Sequence, residues 1–453
     1  MLSFLLNFII AQTTTPTAAP VEVVQRQQVR PLPGKLDDVP VFNSNSPELV
    51  LKEGILLSTF PEKGKNVSSA HLNFPFKGRF DIFAHHVAKA SAPDDLKTLY
   101  LGIILHNPTS QPVTVNVLNA ASYLSQPDAP FIDLPSQKNN NFGTVFSGPG
   151  SRVMSDILRK RRQSTLPTKL IIPAGESRMM MNAPIPVKEL EPPINGRSTL
   201  MRLSSSDKVY AASLAMFAPT NVDGSERAPT LQEWQNLLDN GNLAGPRDKT
   251  PTPPEDINKP IIYGRVSGVA KGSQWNSLVV DSPKKTYLTI PQSGRAFSYG
   301  IATLHRGTLG TNQIQSAKML ARYPDTAYYA HGNYGIWYSL QLPLLNKSSA
   351  PQTVKVSLQT PIKEDRLTKD GLRFFDNPDK RVFFRGTVRV RYTDNKGLPR
   401  TQYLHLVQNR GEKGEPLTIL NMKPGGKRLV EVDLLYPPDA TPPQVLTIET
   451  ENK

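Results

Sequence analysis

The chain contains no cysteine, so disulfides, thiolate metal sites and a cysteine nucleophile are all excluded. Long apolar runs are also missing. Only the first eleven residues, Met1 to Ala11, are nearly continuous in apolar character, and they are too short to span a bilayer. No Lys or Arg precedes Arg26. The start therefore resembles the end of an export signal that lacks its basic region, with cleavage expected after Ala11 or Ala19. Local catalytic signatures are lacking too: there is no Gly-x-Ser-x-Gly elbow, no His-Glu-x-x-His, no phosphate-cradling glycine loop and no calcium loop. No cofactor is expected.

What is abundant is turn chemistry. Forty-two Pro and 29 Gly accompany a hydrophobic content of 38%, which fits many short strands rather than helices. The net charge of +15 is uneven. Residues 1–245 hold 23 Lys and Arg against 20 Asp and Glu, whereas residues 246–453 hold 30 against 18.

One segment recurs. Leu101–Val117 matches Leu340–Val356 without gaps at an offset of 239, with eight of 17 positions identical. Chance at ordinary residue frequencies gives about one. Each copy reads as an apolar strand, a six-residue polar loop and a second strand alternating inward Val with polar residues, which predicts a β-hairpin used twice.

These features predict an all-β protein of two β-sandwich-like domains, joined by a Pro-rich linker and carrying one short helix. Residues 1–40 form the signal-like start and a flexible lead-in. The first domain covers 41–245, with a long loop at 135–165 and a helix at 230–240. In that helix Thr230-Leu-Gln-Glu233 is a capping box, Leu231, Trp234, Leu237 and Leu238 form an apolar stripe, and Gly241 supplies the stop. The linker is 246–258, and the second, basic domain covers 259–450.

The candidate ligand-binding residues lie in that second domain. From Arg322 to Tyr338 aromatic rings interleave with polar groups, and Asp325, Tyr328, Tyr329, His331, Asn333 and Trp337 are the elements of a sugar platform: rings stack while polar groups bond hydroxyls. The plainer reading is that these rings pack at a sheet rim. In Arg385-Gly-Thr-Val-Arg389-Val-Arg391 alternation places Thr387, Arg389 and Arg391 on one strand face. That face suits an anionic polysaccharide or another envelope component, or simply keeps the domain soluble. Asp81 and His85 would share a strand face as metal ligands, but no third ligand accompanies them, so no metal site is assigned. Arg159-Lys-Arg-Arg162 reads as an exposed basic run, and Met179-Met-Met181 as core filling. Asn66-Val-Ser68 and Asn346-Lys-Ser348 match the glycosylation sequon, although Asn346 suits turn chemistry better. Nothing resembles a nucleic-acid-binding motif.

Several stretches resemble one family. They are Val41–Pro47, His71–Phe76, Ala211–Phe217, Gly245–Pro254, Tyr323–Gly335, Gln359–Asp365 and Tyr436–Pro443, spread over residues 37–448. Together they are similar to secreted cyanobacterial proteins grouped as domain of unknown function 3370. The resemblance implies an exported, envelope or extracellular setting and supplies no activity or binding residues. The leading expectation is a non-catalytic protein that binds envelope polysaccharide. The alternatives are a secreted hydrolase using Asp325 with Glu364 or Asp365, and a structural scaffold.

Overall fold

Alternating apolar residues let a strand bury one face, and here that pattern becomes strand almost throughout. In Val113–Leu124, for example, Val113, Val115 and Val117 are buried while Asn116 and Leu118 face outward. The computed structural model describes residues 20–256 and 258–452, so the expected export signal at 1–19 lies outside the described residues. The described residues are predominantly β, with two α-helices among them where a single one was expected.

The repeated segment is not a hairpin. Leu99–His106 and Val113–Leu124 do not pair with each other. The first pairs with Ser177–Ile185 and with 210–217 of the long strand Ile194–Phe217, and the second pairs with Lys169–Ile172 and with 197–205 of the same long strand. In the second copy Trp337–Leu345 pairs with Lys427–Leu435, while Gln352–Gln359 pairs with Pro416–Met422 and Gln444–Thr450. Each copy is thus an arch that carries the chain from one sheet layer to the other. The reason is in the loop, which has none of the two-residue turn chemistry that holds adjacent strands in one ladder. Instead a fully buried Asn anchors it.

Asn107 donates its amide hydrogens to the carbonyls of Gln111, Ile172 and Pro173, and its Oδ1 accepts from the Thr109 N–H at 2.9 Å and hydroxyl at 2.7 Å. Asn346 does the same: it donates to Ala350 and Met422 and accepts from the Ser348 N–H at 2.9 Å and hydroxyl at 2.7 Å. A tight return turn closes on each Asn backbone. Gly175 and Gly425 donate to the Asn carbonyls, and Glu176 and Gly426 accept from the Asn amides.

The duplication extends well beyond the arch. One five-strand ladder runs Lys169–Ile172, Val113–Leu124, Ile194–Phe217, Phe76–Lys89, Pro40–Ser44. The other runs Pro416–Met422, Gln352–Gln359, Gln444–Thr450, Arg295–Ile301, Gln28–Arg30. In both, the last strand is parallel to its neighbour and the remaining pairs are antiparallel.

The lead-in expected to be flexible is therefore built into the sheets from residue 22 onward. Glu22–Arg26 pairs with Gly371–Phe375, Gln28–Arg30 with Arg295–Ile301, and Lys35–Leu36 with Gln274–Leu278. Its partners lie hundreds of residues away, and short polar strands of this kind carry no local signal of such pairing.

Each copy holds an insertion between the arch and the return strands. In the first, residues 125–168 contain helix α1 (Pro149–Leu158), where a loop was expected. Pro149 starts it, and Val153, Met154, Ile157 and Leu158 form a buried stripe. In the second, residues 360–415 contain the hairpin Val382–Thr393 with Pro399–Asn409. Helix α2 (Leu231–Asn240) carries the expected capping box. Pro40–Ser44 also pairs with Ser267–Lys271, which pairs with Ala317–Arg322, so one sheet continues from the first copy into the second. The Pro-rich stretch after Gly245 is extended and pinned: Arg247 pairs with Asp325, and Asp248 accepts from the Ser46 hydroxyl at 2.7 Å.

A cluster on strained loops

Most of the residues predicted to bind ligand serve the scaffold. Trp337 is only 6% exposed; its indole donates to Asp433 at 3.1 Å, and the Arg202 and Arg389 guanidiniums lie 4.9 and 5.7 Å from the ring centre. Asn333 is buried in a left-handed turn, where it donates to the Gln315 carbonyl and the Tyr338 hydroxyl. Asp325 makes a two-point ion pair with Arg247 at 2.8 and 3.0 Å. One face of Tyr328 is covered by the Arg322 guanidinium, 3.7 Å from the ring centre.

The cationic strand is likewise neutralised within its own sheet. Arg389 and Arg391 sit directly across from Asp433 and Glu431 and pair with them at 2.9 and 3.0 Å. Arg385 lies over the Phe131 ring at 5.1 Å. Opposite charges at facing positions stabilise a sheet and leave little net field for a partner.

Asp81 and His85 do not meet as ligands. Asp81 is fully buried between Arg79 and Arg202, and burial raises its pKa while the guanidiniums oppose the rise. It borders a hollow of about 10 Å³ at the junction of the two copies, room for one water molecule. His85 bonds the Ser198 hydroxyl at 2.8 Å and lies 3.5 Å from Glu48. Among the described residues no group of three or more His, Asp or Glu side chains is placed to hold a metal ion.

Two predicted residues, Tyr329 and His331, are brought together with three that the sequence did not single out: Tyr263, His305 and Lys363. All five are partly exposed. The His331 ring lies 4.6 Å from that of Tyr263 and 5.7 Å from that of Tyr329, and the His305 ring lies 5.7 Å from Tyr329. The Tyr263 hydroxyl donates to the His305 carbonyl at 2.5 Å and accepts from the Lys363 ammonium at 2.6 Å.

Burial lowers the Lys363 pKa to about 8, against the pull of Asp365. Burial, reinforced by the charges of His305 and Lys363, lowers His331 to about 3, and its buried Nδ1 has no partner. Burial raises Tyr263 to about 12. At neutral pH the cluster therefore offers one ammonium with two uncommitted N–H groups, a neutral imidazole acceptor and the faces of two tyrosine rings.

The loops that carry it are strained. Of ten non-glycine residues with left-handed φ among the described residues, seven lie between 302 and 370, including Ala302, Arg306 and Leu309. Backbone of this kind concentrates at functional sites because surrounding contacts must hold it there. Asp365 provides such contacts, accepting from the Thr308 N–H and hydroxyl at 3.1 Å each. Lys363 and His305 were missed because nothing in their neighbourhoods distinguishes them; the Tyr328-Tyr329-Ala-His331 run was the one legible signal.

A duplicated β-protein with a polar aromatic cluster on its second copy is the class that fold and site define. The family model described as Protein of unknown function (DUF3370) matches residues 27–450, and the chain belongs to that family. No curated protein matches the chain. Solved structures give faint likenesses. An 11S allergen from Cocos nucifera has 8% identity, covering 79% of this chain and 81% of that one, with a TM-score of 0.12. A mutant of Bacillus subtilis oxalate decarboxylase has 10% identity, covering 81% and 75%, with a TM-score of 0.11. The pro-11S globulin of pumpkin has 9% identity, covering 89% and 86%, with a TM-score of 0.11. Scores this low support neither a shared fold nor a shared activity. Among the described residues no helix is long and apolar enough to cross a membrane.

Proposed function

We propose that the protein is a non-catalytic binder of acidic polysaccharide in the cell envelope or extracellular space, and that the Tyr263, His305, Tyr329, His331 and Lys363 cluster is its binding site. The observation that carries the reading is the Lys363 ammonium, held by the Tyr263 hydroxyl at 2.6 Å among partly exposed rings with two donors uncommitted. A uronic-acid or sulfated sugar fits this chemistry: its anion meets the ammonium, its apolar face stacks on Tyr329, and a hydroxyl donates to His331. The exported setting rests on the family resemblance and on the apolar residues before Gln12.

A hydrolase reading is less well supported, because its three carboxylates already have structural partners. Glu364 pairs with Arg373 at 3.0 Å, Asp365 caps Thr308, and Asp325 pairs with Arg247.

Binding of the purified chain to a uronic-acid polysaccharide and to a neutral glucan tests the proposal. Binding to the acidic polymer is expected, with Tyr329→Ala and Lys363→Gln each weakening it about tenfold. Affinity is expected to fall as pH rises through about 8, where Lys363 loses its proton. Equal affinity for the neutral glucan, or no response to either substitution, would overturn the reading.

A further inference from the structure

The basic run Arg159–Arg162 and the insertion it closes are not used by the site above, and here the geometry points to a docking surface for a lipid bilayer with anionic phosphate headgroups. Phe142, at the tip of the 131–148 excursion, is 83% exposed. Isolated exposed rings are common on mobile loops, but this one is held in place. Arg159 donates to the carbonyls of Asn140 and Asn141, the latter at 3.0 Å, and Arg161 donates to the Phe142 carbonyl at 3.3 Å. Asn140, itself buried, bonds Val145 in both directions and reaches the Thr387 hydroxyl at 3.0 Å. The Arg159 guanidinium in turn lies over the Tyr403 ring, 3.8 Å from its centre.

The groups that present the ring are therefore themselves cations, and exposed Lys160 follows directly in sequence. The carboxylate among them, Asp156, pairs with Arg161 at 3.3 Å. A rigidly presented apolar ring within a basic collar matches an anionic bilayer, where the ring enters the headgroup boundary and the cations meet phosphates. A soluble polyanion would engage the collar but gain nothing from the ring.

Flotation of the full-length chain with phosphatidylglycerol-containing vesicles and with pure phosphatidylcholine vesicles tests this. Binding to the anionic vesicles is expected to fall about tenfold in Phe142→Ser and about fivefold in Lys160→Gln. Phe142→Trp adds an indole to a chain whose three tryptophans are all buried, so its emission is expected to shift to the blue on anionic vesicles. Equal binding by the wild type and Phe142→Ser overturns the proposal, as does an unshifted indole in the vesicle-bound protein. Capture by soluble polyphosphate that Phe142→Ser does not weaken, without vesicle binding, would assign the collar to a soluble polyanion instead.

Discussion

Each arch is wound around a single amide. Asn346 is fully buried, and its side chain satisfies two carbonyls, one backbone N–H and one hydroxyl. Alanine there would leave buried backbone groups without partners, each costing about 1–3 kcal/mol. Asn346→Ala is accordingly expected to lose about 2–4 kcal/mol of stability, read as a lower urea midpoint at unchanged slope. Asn346→Asp would keep the acceptor and lose the donors, and is expected to be destabilised as well. The turn role of this Asn was legible in the sequence; that its side chain joins two layers was not, because Met422 lies 76 positions away. The site shows the same limit. Tyr329 and His331 announce themselves in an aromatic run, whereas Tyr263 and Lys363, 100 positions apart, meet through a hydrogen bond that no local pattern encodes.

At the level of elements, α2 was readable because its signals are local. Thr230 accepts from the Glu233 amide while the Glu233 carboxylate accepts from the Thr230 amide. Thr230→Ala is expected to destabilise by about 1 kcal/mol, measurable by thermal unfolding, and Trp234→Ala by about 3–5 kcal/mol. The larger figure follows from packing: Trp234 is fully buried, and its ring lies so close to Gly102 that an added Cβ would meet it at 2.7 Å. Helix α1 was missed because glycine and asparagine precede it and four basic residues follow, hiding a ten-residue helix whose apolar stripe is four residues long. The arches were mistaken for hairpins because alternation fixes which face of a strand is buried but not which strand lies beside it.

Across the whole molecule, acid is expected to act through several histidines at once. Burial lowers His71, His86 and His405 to about 4 and His331 to about 3. The unfolded chain takes up these protons near pH 6.5, while the folded chain refuses them until far lower pH. Their contribution to stability is therefore complete above about 6.5 and is lost as pH falls toward 4. Asp81 and Asp439, whose pKa values are raised by burial, act in the opposite direction over a window that opens upward from the free carboxylate value of 3.8. All four imidazole resonances are expected to keep their neutral positions at pH 5, and one that titrates near 6.5 would remove that residue from the account. The duplication, too, was only partly visible from the sequence. The arches keep an offset of 239, but insertions of different length follow each and segments of different length precede each, so the return strands and the fourth strand of each ladder fall out of register with any gapless match.

The placement of Gln28–Arg30 on the second copy's ladder has a consequence for the order of events during synthesis. Arg30 bonds Tyr299, which emerges 269 positions later, and Glu22 waits still longer for Arg373, 351 positions on. At about 5–20 residues per second the first of these intervals lasts roughly 15–50 s. Throughout it, the ribosome has already released an edge strand whose partner among the described residues, Arg295–Ile301, does not yet exist. A chain in that condition keeps that edge open until Arg295–Ile301 emerges, and Gln444–Thr450, which pairs with the same strand, joins the ladder later still.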